Sequence, residues 1–245
     1  MKTAMVHWDN VWSVSVRFRL PSGLNIAIRN LQRLLKAHVK PGMRFLEIGC
    51  APGKLLAWVA QVLQSDVAGL DYSKPGLAIA QQLFQALGIK GDLRCEDLIT
   101  TTFQPGSFDL VYSSGLIGHF NDPREIVESH VNLLKPGGKA LITVPNYGGF
   151  YGRLQRRFDP ENLFIHNLTI MNLPALRRLA PGELVSTVRA YPAGRMSPWL
   201  ISFDKRWPQP VARYMLYFFN LLGLIQPYDI PRLCPMLVLE LHRLP

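Results

Sequence analysis

The sequence predicts an α/β fold in which helices cover both faces of a mostly parallel sheet. Short apolar runs alternate with stretches of helical periodicity through the first 146 of its 245 residues. In the clearest unit, residues 43–63, an apolar run breaks into a loop of small residues and a helical pattern follows at once. Strand, tight loop and helix in this order open many nucleotide-binding folds, where ligands sit beyond the carboxyl ends of the strands. The first candidate site is therefore the loop after Ile48.

The composition is that of a globular protein. Hydrophobic residues make up 48% of the chain and charged residues 18%, which excludes a disordered chain. The net charge of +10 favours an anionic partner, such as nucleic acid, a membrane surface or an acidic substrate. Three cysteines without CxxC spacing indicate a reducing compartment and argue against a zinc site or a disulfide framework. Because the first residues lack the apolar core of a signal peptide, we expect a cytoplasmic protein.

The first 40 residues precede the clearest unit and predict an N-terminal cap. Trp8 and Trp12 lie four apart, as in a short amphipathic helix, and residues 13–20 alternate between polar and apolar as in a strand. A helix is predicted over Leu24–Ala37, where leucine and isoleucine recur on one side. Pro41 and the glycine after it end this helix before the first strand of the sheet.

The loop after the first strand must be distinguished from two common phosphate-binding loops. A dinucleotide fingerprint requires glycine at its first, third and sixth positions, but Gly49 is followed by Ala51 and then a lysine there. A P-loop requires four residues between its glycines, whereas three separate Gly49 from Gly53. The pattern that remains is Glu47-x-Gly49-x-Ala51-x-Gly53. It resembles motif I of the class I S-adenosylmethionine-dependent methyltransferases, with Ala51 where that family usually has its middle glycine.

The second strand, predicted at Asp66–Leu70, ends in Asp71. This aspartate follows Glu47 by 24 residues, close to the ~20 expected for a carboxylate that binds ribose hydroxyls. Two carboxylate oxygens can accept hydrogen bonds from two neighbouring hydroxyls. Ser73, which precedes Lys-Pro, is the better helix N-cap, so we expect Asp71 to be available to a ligand. Tyr72 is placed to lie against the adenine of such a ligand.

Three further motifs continue the resemblance as far as Asn146. The third strand ends in Glu96-Asp97-Leu98, and the resemblance implies that Asp97 rather than Glu96 accepts a hydrogen bond from the adenine amino group. The fourth strand, Phe108–Ser113, leads into a loop that is similar to the motif IV region. An LKPGG run then precedes a fifth strand, Ala140–Val144. The resemblance covers residues 40–146 and implies a Rossmann-like, seven-stranded, mostly parallel sheet with an antiparallel last strand.

The chain beyond residue 146 is less characteristic of the family. The connection Asn146–Asn167 is rich in tyrosine and arginine, and such loops often determine specificity. In it, Arg153 and Arg157 could clamp a carboxylate or phosphate, although a solvated helix face explains their spacing equally well. A helix is predicted at Pro174–Ala180. Strands are predicted at Glu183–Tyr191 and Met236–His242.

An apolar helix is predicted at Val211–Ile225, between the last two strands. It is shorter than the ~20 apolar residues of a bilayer span. We expect it to pack in the core or to form a lid over an apolar acceptor. Shallow contact with a membrane and dimerisation are the alternatives.

The resemblance implies transfer of a methyl group from S-adenosylmethionine to an oxygen or nitrogen atom of a small hydrophobic or anionic acceptor. His119 follows the fourth strand and is the candidate catalytic base, with His166 second. The predicted cofactor-binding residues are Glu47, Gly49, Cys50, Ala51, Gly53, Asp71, Tyr72, Asp97, Leu98, Ser113 and Ser114. The predicted acceptor-binding residues are Trp12, His119, Asn146, Tyr147, Tyr151, Arg153 and His166. No metal site is predicted.

We expect one methyltransferase domain over residues 1–245. Its parts are a cap at 1–40, a cofactor-binding core at 41–146 and an acceptor or lid region at 147–245, with the helical insert at 210–225. A nucleic-acid methyltransferase is the first alternative, since the chain is basic. It is not favoured, because the chain has no recognisable RNA-binding appendage and no Asn-Pro-Pro-Tyr-like tetrapeptide after the fourth strand. A protein that binds S-adenosylmethionine without transferring its methyl group is the second alternative.

Overall fold

The computed structural model describes residues 18–245. The predicted N-terminal helix with Trp12, and most of the predicted strand after it, lie outside the described residues. In chain order the helices and strands are α1 (Ile26–His38), β1 (Arg44–Ile48), α2 (Lys54–Val62), β2 (Asp66–Asp71), α3 (Lys74–Ala86), β3 (Asp92–Cys95), β4 (Phe108–Ser114), α4 (Arg124–Asn132), β5 (Leu134–Pro145), α5 (Phe150–Phe158), α6 (Pro160–Phe164), α7 (Leu173–Arg177), β6 (Val185–Ala193), α8 (Gln209–Ile225) and β7 (Met236–Arg243).

The strands form one seven-stranded sheet in the order β3-β2-β1-β4-β5-β7-β6. Strands β1 to β5 run parallel to one another, and β7 runs antiparallel to both β5 and β6. The predicted fold class is therefore confirmed. In this register Ile48, the last residue of β1, is level with Leu70 of β2 and Ser113 of β4. The carboxyl ends of these central strands thus lie at one edge, where the loops that follow them meet.

Alternating side chains of the central strands fill two cores, one on each face of the sheet. Leu46 and Ile48 of β1 belong to one core, and Phe45, which precedes Leu46, belongs to the other. The first core is covered by α4 and α7, and the second by α1, α2 and α3. Successive side chains of a strand point to opposite faces of the sheet, and both faces are buried here. Each central strand is therefore apolar on both sides and forms a continuous apolar run in the sequence.

The connection between β5 and β6 is more helical than the sequence predicts. The predicted loop Asn146–Asn167 contains α5 and α6. Asp159 separates the two helices, and its side chain accepts a hydrogen bond from the Asn162 N–H, which caps α6. Arg153 and Arg157 are exposed on the outer side of α5. Of the two explanations of their spacing, the structure supports the solvated helix face.

The predicted apolar helix is present as α8, but its large side chains do not pack in the core. Only Ala212 and Gly223 of this helix are buried. Asn220 ties α8 to the start of α1, because its Oδ1 accepts from the Ile26 N–H at 2.9 Å and its Nδ2 donates to the Leu24 carbonyl at 2.9 Å. No helix of residues 18–245 has the length and apolar character needed to cross a bilayer.

Candidate functional site

A cavity of about 810 Å³, partly open to solvent, lies at the carboxyl ends of β1, β2 and β4. The loops after these strands and after β3 form its walls, as expected for a ligand site in a parallel sheet. Its lining residues are Ile48, Gly49, Ala51, Leu70, Asp71, Tyr72, Glu96, Asp97, Leu98, Ser114, Gly115, Leu116, His119, Phe120 and Ile126. Seven of the eleven predicted cofactor-binding residues are in this set, as is the predicted base.

The glycines of the first loop have different functions. Gly49 has φ +74°, and a Cβ placed on it would have no atom within 4 Å, so its backbone is open to the cavity. Gly53 has φ +81°, and a Cβ there would come within 2.7 Å of the Ala80 Cβ. Gly53 therefore lets α2 start close against α3 and does not line the cavity. Ala51 has no positive φ and tolerates its side chain, which explains why the family's middle glycine is dispensable here.

Asp71 holds the first two loops together as well as facing the cavity. Its Oδ2 accepts from the Ala51 N–H at 3.0 Å, and its Oδ1 accepts from the Ser73 N–H at 2.9 Å. Ser73 caps α3 as predicted, because its Oγ accepts from the Gly76 N–H at 3.3 Å. Both oxygens of Asp71 thus bind backbone N–H groups of the two loops. Its availability to a ligand, inferred from the Ser73 cap, stays a prediction.

Glu96 and Asp97 follow β3 and both line the cavity. Glu96 accepts three hydrogen bonds from Thr101 and Thr102, and the Thr102 hydroxyl is the main cause of its lowered pKa. Asp97 caps the short turn that follows, with its Oδ1 at 2.8 Å from the Ile99 N–H. The carboxylate of Glu96 is thus occupied by the loop that follows it, which agrees with the choice of Asp97 for the adenine position.

Glu47 is buried behind the glycine loop and does not line the cavity. Burial, and after it the nearby charge of Asp71, raise the pKa of this carboxyl to about 8, against a hydrogen bond from the Leu56 backbone that lowers it. Its Oε2 is buried and has no hydrogen-bond partner among the described residues. A buried carboxyl oxygen without a donor is energetically costly, and a cationic or hydrogen-bond-donating ligand would relieve that cost.

His119 occupies the cavity wall at the end of a short turn after β4, Leu116–His119. Its Nδ1 lies 3.2 Å from the Ile165 carbonyl, so Nδ1 carries the proton and donates, and the neutral ring has its lone pair on Nε2. The His166 ring lies behind it, with 4.8 Å between ring centroids. His166 in turn donates from Nδ1 to the Asn162 carbonyl at 2.7 Å.

Tyr147 completes this second layer behind His119. Its ring is 5.3 Å from that of His166, and its hydroxyl accepts from Asn162 Nδ2 at 3.1 Å. Burial is the main cause of its raised pKa. Tyr147 thus contacts His166, which contacts His119, and neither Tyr147 nor His166 is among the described residues that line the cavity.

Several other predicted site residues are held elsewhere in the fold. Ser113 faces the core, where its Oγ is 2.9 Å from His130 Nε2, and Cys50 is buried beside Gly69. Asn146 donates to the Cys234 carbonyl at 2.9 Å, which joins the end of β5 to the start of β7. The Tyr151 hydroxyl is buried between two backbone groups, and Arg153 is exposed on α5. None of these five lines the cavity.

The structure adds lining residues that the sequence prediction left out. Leu116, Phe120 and Ile126 form an apolar wall beside His119. Asn167, which lies outside the cavity, fastens this wall, because its Nδ2 donates to the carbonyls of Phe120 and Asn121 and its N–H donates to Gly118. The apolar residues are recognisable by their place after the fourth strand. Asn167 is distant in sequence, and no local pattern indicates its contact.

The charge of the cavity suits a cationic ligand. Its titratable lining residues are three carboxylates, one histidine and one tyrosine, and none of the described lining residues is lysine or arginine. Glu47 lies behind this wall, and its raised pKa makes it a neutral hydrogen-bonding group rather than a further negative charge near neutral pH. S-adenosylmethionine carries a sulfonium and an ammonium group as well as ribose hydroxyls and an adenine amino group, all of which favour carboxylate partners. The residues present therefore fit this cofactor.

A family model for the methyltransferase domain matches residues 46–142, from β1 to β5. Those residues include the glycine loop, Asp71, Asp97 and the His119 turn. Residues 46–142 are a methyltransferase domain. The resemblance to the class I S-adenosylmethionine-dependent methyltransferases is thereby confirmed for this part of the chain.

Curated relatives of this methyltransferase domain include enzymes that act on different acceptor atoms. Phosphoethanolamine N-methyltransferase 2 of Caenorhabditis elegans is 32% identical over 148 residues, which are 60% of this chain and 33% of that protein. Ubiquinone biosynthesis O-methyltransferase of Chromobacterium violaceum is 33% identical over 108 residues, which are 43% of this chain and 45% of that protein. The chain thus spans less than half the length of either relative.

The fold of the methyltransferase domain and its surroundings recurs in solved structures. One is Haemonchus contortus phosphoethanolamine N-methyltransferase 2, in complex with phosphomonomethylethanolamine and S-adenosylhomocysteine. It matches with a TM-score of 0.62 at 20% identity, over 89% of this chain and 52% of that chain. At this identity the match establishes the fold, including the part of this chain that follows residue 142.

Proposed function

We propose that this chain binds S-adenosylmethionine with residues 41–146 and transfers its methyl group to an oxygen or nitrogen atom of a small apolar acceptor. The observation that carries the proposal is the division of the cavity lining. The carboxylates lie at the β2 and β3 side of the cavity, and Leu116, Phe120 and Ile126 lie at the β4 side with His119. A cationic cofactor suits the first side, and an apolar acceptor suits the second.

The residues that would hold the cofactor follow from the cavity lining. Asp71, which faces the cavity, offers its carboxylate to ribose hydroxyls, and Asp97 offers its carboxylate to the adenine amino group. Tyr72 and Leu98 supply apolar surface for the adenine ring, and the open backbone of Gly49 permits close approach of the ligand. When bound, S-adenosylmethionine supplies a methyl group activated by its sulfonium.

The chain's contribution to the reaction is orientation, exclusion of water and a base. The apolar wall beside His119 keeps water from the acceptor side, and much of the rate of such a transfer can come from a well-oriented pair of reactants. A hydroxyl acceptor also needs to lose its proton. The lone pair on His119 Nε2 serves as the base, and the Ile165 carbonyl holds the ring in that tautomer.

The cavity lining favours an apolar acceptor over an anionic one. A phosphorylated acceptor would need a basic side chain, and none of the described residues that line the cavity is lysine or arginine. Arg153, the predicted anion clamp, is exposed on α5. We therefore assign to this chain an acceptor without a phosphate group, unlike the acceptor in the name of the phosphoethanolamine relatives.

We further place the protein in the cytoplasm. Its three cysteines are all free, and Cys50 and Cys234 are buried without a disulfide partner. Free buried thiols are the rule in reducing compartments and are uncommon in secreted proteins.

A transfer assay with labelled S-adenosylmethionine tests the proposed function. The acceptors compared are an apolar phenol, an apolar amine and phosphoethanolamine. We expect transfer to an apolar acceptor, and His119→Gln should lower transfer to the phenol by about 100-fold while S-adenosylhomocysteine affinity stays within about twofold. Preference for phosphoethanolamine would contradict the acceptor assignment. Tight cofactor binding without transfer to any acceptor would indicate a binding protein instead.

A further inference from the structure

The outward face of α8 carries large apolar side chains that nothing in the described structure covers. Six of them form an outer stripe in which each side chain is between 45% and 78% exposed. The outer stripe consists of Val211, Tyr214, Tyr217, Phe218, Leu221 and Ile225. Its members are spaced three and four residues apart, as on one side of a helix, and they continue into the exposed Trp199 and Tyr228.

The opposite face of α8 fixes this orientation. Gly223 packs so closely that a Cβ there would come within 2.9 Å of Ile26 in α1 and closer still to the Met196 carbonyl. Phe219 stacks on Phe203 with 5.8 Å between ring centroids. Asn220 binds Trp199 Nε1 at 3.3 Å as well as the start of α1. The helix is therefore held by small and polar residues, and its apolar residues face outward, the reverse of an ordinary surface helix.

Basic side chains surround the outer stripe. Between Asp204 and Asp229 the segment contains three basic residues, Lys205, Arg206 and Arg213, and no acidic residue, and Asp229 is paired with Arg33 at 3.0 Å. All three basic residues are exposed. Helix α5 adds the exposed Arg156 and Arg157, and it is joined to this region because Phe158 contacts Trp207 with 5.0 Å between ring centroids.

We propose that the outer stripe of α8 and its basic border dock this protein on an anionic lipid surface. A helix with an aromatic and aliphatic face flanked by lysine and arginine lies in the plane of such a surface, with its apolar face among the acyl chains. Tyrosine and tryptophan, which make up four of the eight exposed apolar residues, are the side chains that favour the boundary between headgroups and acyl chains. Each basic residue near the surface adds attraction to anionic headgroups.

A second copy of the chain fits the same surface less well. In a two-fold dimer built on α8 the same patch would face itself, so the basic borders of both copies would come together. Each copy carries a net charge of +10, and like charges in an interface oppose association. The anionic surface is complementary in charge, whereas the second copy is not.

Flotation of the full chain with lipid vesicles tests the proposal. The vesicles are pure phosphatidylcholine in one arm and phosphatidylglycerol mixed with phosphatidylcholine in the other. We expect binding to the anionic vesicles, weakened by salt. The double variant Phe218→Ser/Leu221→Ser and the double variant Lys205→Glu/Arg206→Glu should each lower the bound fraction by at least about fivefold. Val62→Ser, which changes an exposed apolar side chain on α2, is the matched control and should bind as the parent protein does.

Melting temperature and S-adenosylhomocysteine affinity are measured on every variant, so that a folding defect is recognised. Equal binding to both kinds of vesicle would overturn the role of charge, and no binding to either would overturn the proposal. Unchanged vesicle binding of the Phe218→Ser/Leu221→Ser variant would also overturn the proposal. If sedimentation instead shows a dimer that this variant dissociates, the occupant of the outer stripe is a second copy.

Discussion

At the scale of single residues, the Asp71 carboxylate orders two loops at the edge of the cavity. It holds the loops after β1 and β2 through the N–H groups of Ala51 and Ser73, and it faces the cavity. The proposed ligand would therefore bind to a group that is already fixed. Such preorganisation reduces the entropy lost on binding.

We expect Asp71→Asn to weaken S-adenosylhomocysteine binding at least tenfold, about 1.4 kcal/mol, because a hydrogen bond to a charged group contributes ~1.5–3 kcal/mol. Calorimetry measures the affinity directly. Asp66→Asn is the control, since Asp66 lies at the opposite end of the same strand and is exposed. A folded Asp71→Asn protein with parental affinity would contradict the assignment.

Glu47 makes the stability of the fold depend on pH in an uncommon direction. The pKa of Glu47 is about 8 in the folded protein and 4.5 in the unfolded chain. At pH values between these two, folding is therefore accompanied by uptake of a proton. The folded state binds more protons than the unfolded state in this window. Stability from this residue is therefore greatest below about pH 4.5, falls as pH rises through the window and levels off above about pH 8.

Glu47→Gln should remove this dependence, since glutamine keeps the shape of the side chain without titrating. We expect the melting temperature of the parent protein, relative to that of Glu47→Gln, to fall by several degrees from about pH 5 to about pH 8. Thermal melts of both proteins across this range measure the difference. Parallel pH profiles would show that Glu47 is ionised throughout the range.

At the scale of helices and strands, one buried hydroxyl of α5 joins this helix to two segments that are distant in sequence. Tyr151 donates to the Leu233 carbonyl at 2.8 Å and accepts from the Ser197 N–H at 2.9 Å. Burial raises its pKa to about 12. It thereby joins α5 to the segments before α8 and before β7. Tyr151 is a structural residue, and its predicted contact with the acceptor is not what the structure shows.

Tyr151→Phe should lower the melting temperature by several degrees, because two buried backbone groups lose their partner at ~1–3 kcal/mol each. The KM for the acceptor should not change. Tyr217→Phe removes an exposed hydroxyl and serves as the control, with no expected change in melting temperature. A raised KM with unaltered stability would restore the acceptor role of Tyr151.

The sequence predicts some elements better than others. The well-predicted ones depend on contacts between residues that are close in sequence, and the others depend on contacts between distant residues. The strand ends, the glycine loop and the Ser73 cap depend on residues within a few positions of one another, so their patterns can be recognised in the sequence. The hydroxyl of Tyr151 binds residues 46 and 82 positions away, and Asn220 binds the start of α1 across 194. No pattern among neighbouring residues in the sequence indicates these contacts. The outward orientation of α8 and the second layer behind His119 were therefore beyond prediction.

At the scale of the whole molecule, the net charge of +10 and the acidic cavity are separate features. Most of the basic residues among residues 18–245 are exposed, including those at the border of the outer stripe, whereas the described cavity lining contains no lysine or arginine. The charge of the chain is thus not evidence for an anionic acceptor. The positive charge instead attracts anionic molecules or membranes that approach the surface.

We expect no binding to a mixed-sequence RNA or DNA tighter than the non-specific level, a Kd of about 10⁻⁶ M at physiological salt. Fluorescence anisotropy over a range of salt concentrations measures this. Any weak binding should disappear as salt rises, because surface charges alone produce it. A tight complex that depends on the nucleotide sequence would favour the nucleic-acid methyltransferase instead.

Asn220 sets the rotation of α8 about its own axis. A helix with aromatic residues on one side would gain free energy by rolling until that side met the protein, but rolling would break the bonds of this one amide to Ile26 and Leu24. Single buried asparagines fix register in this way between paired helices. Replacing Asn220 with leucine should therefore let the helix turn its aromatic side inward, giving a protein that melts higher yet no longer floats with anionic vesicles.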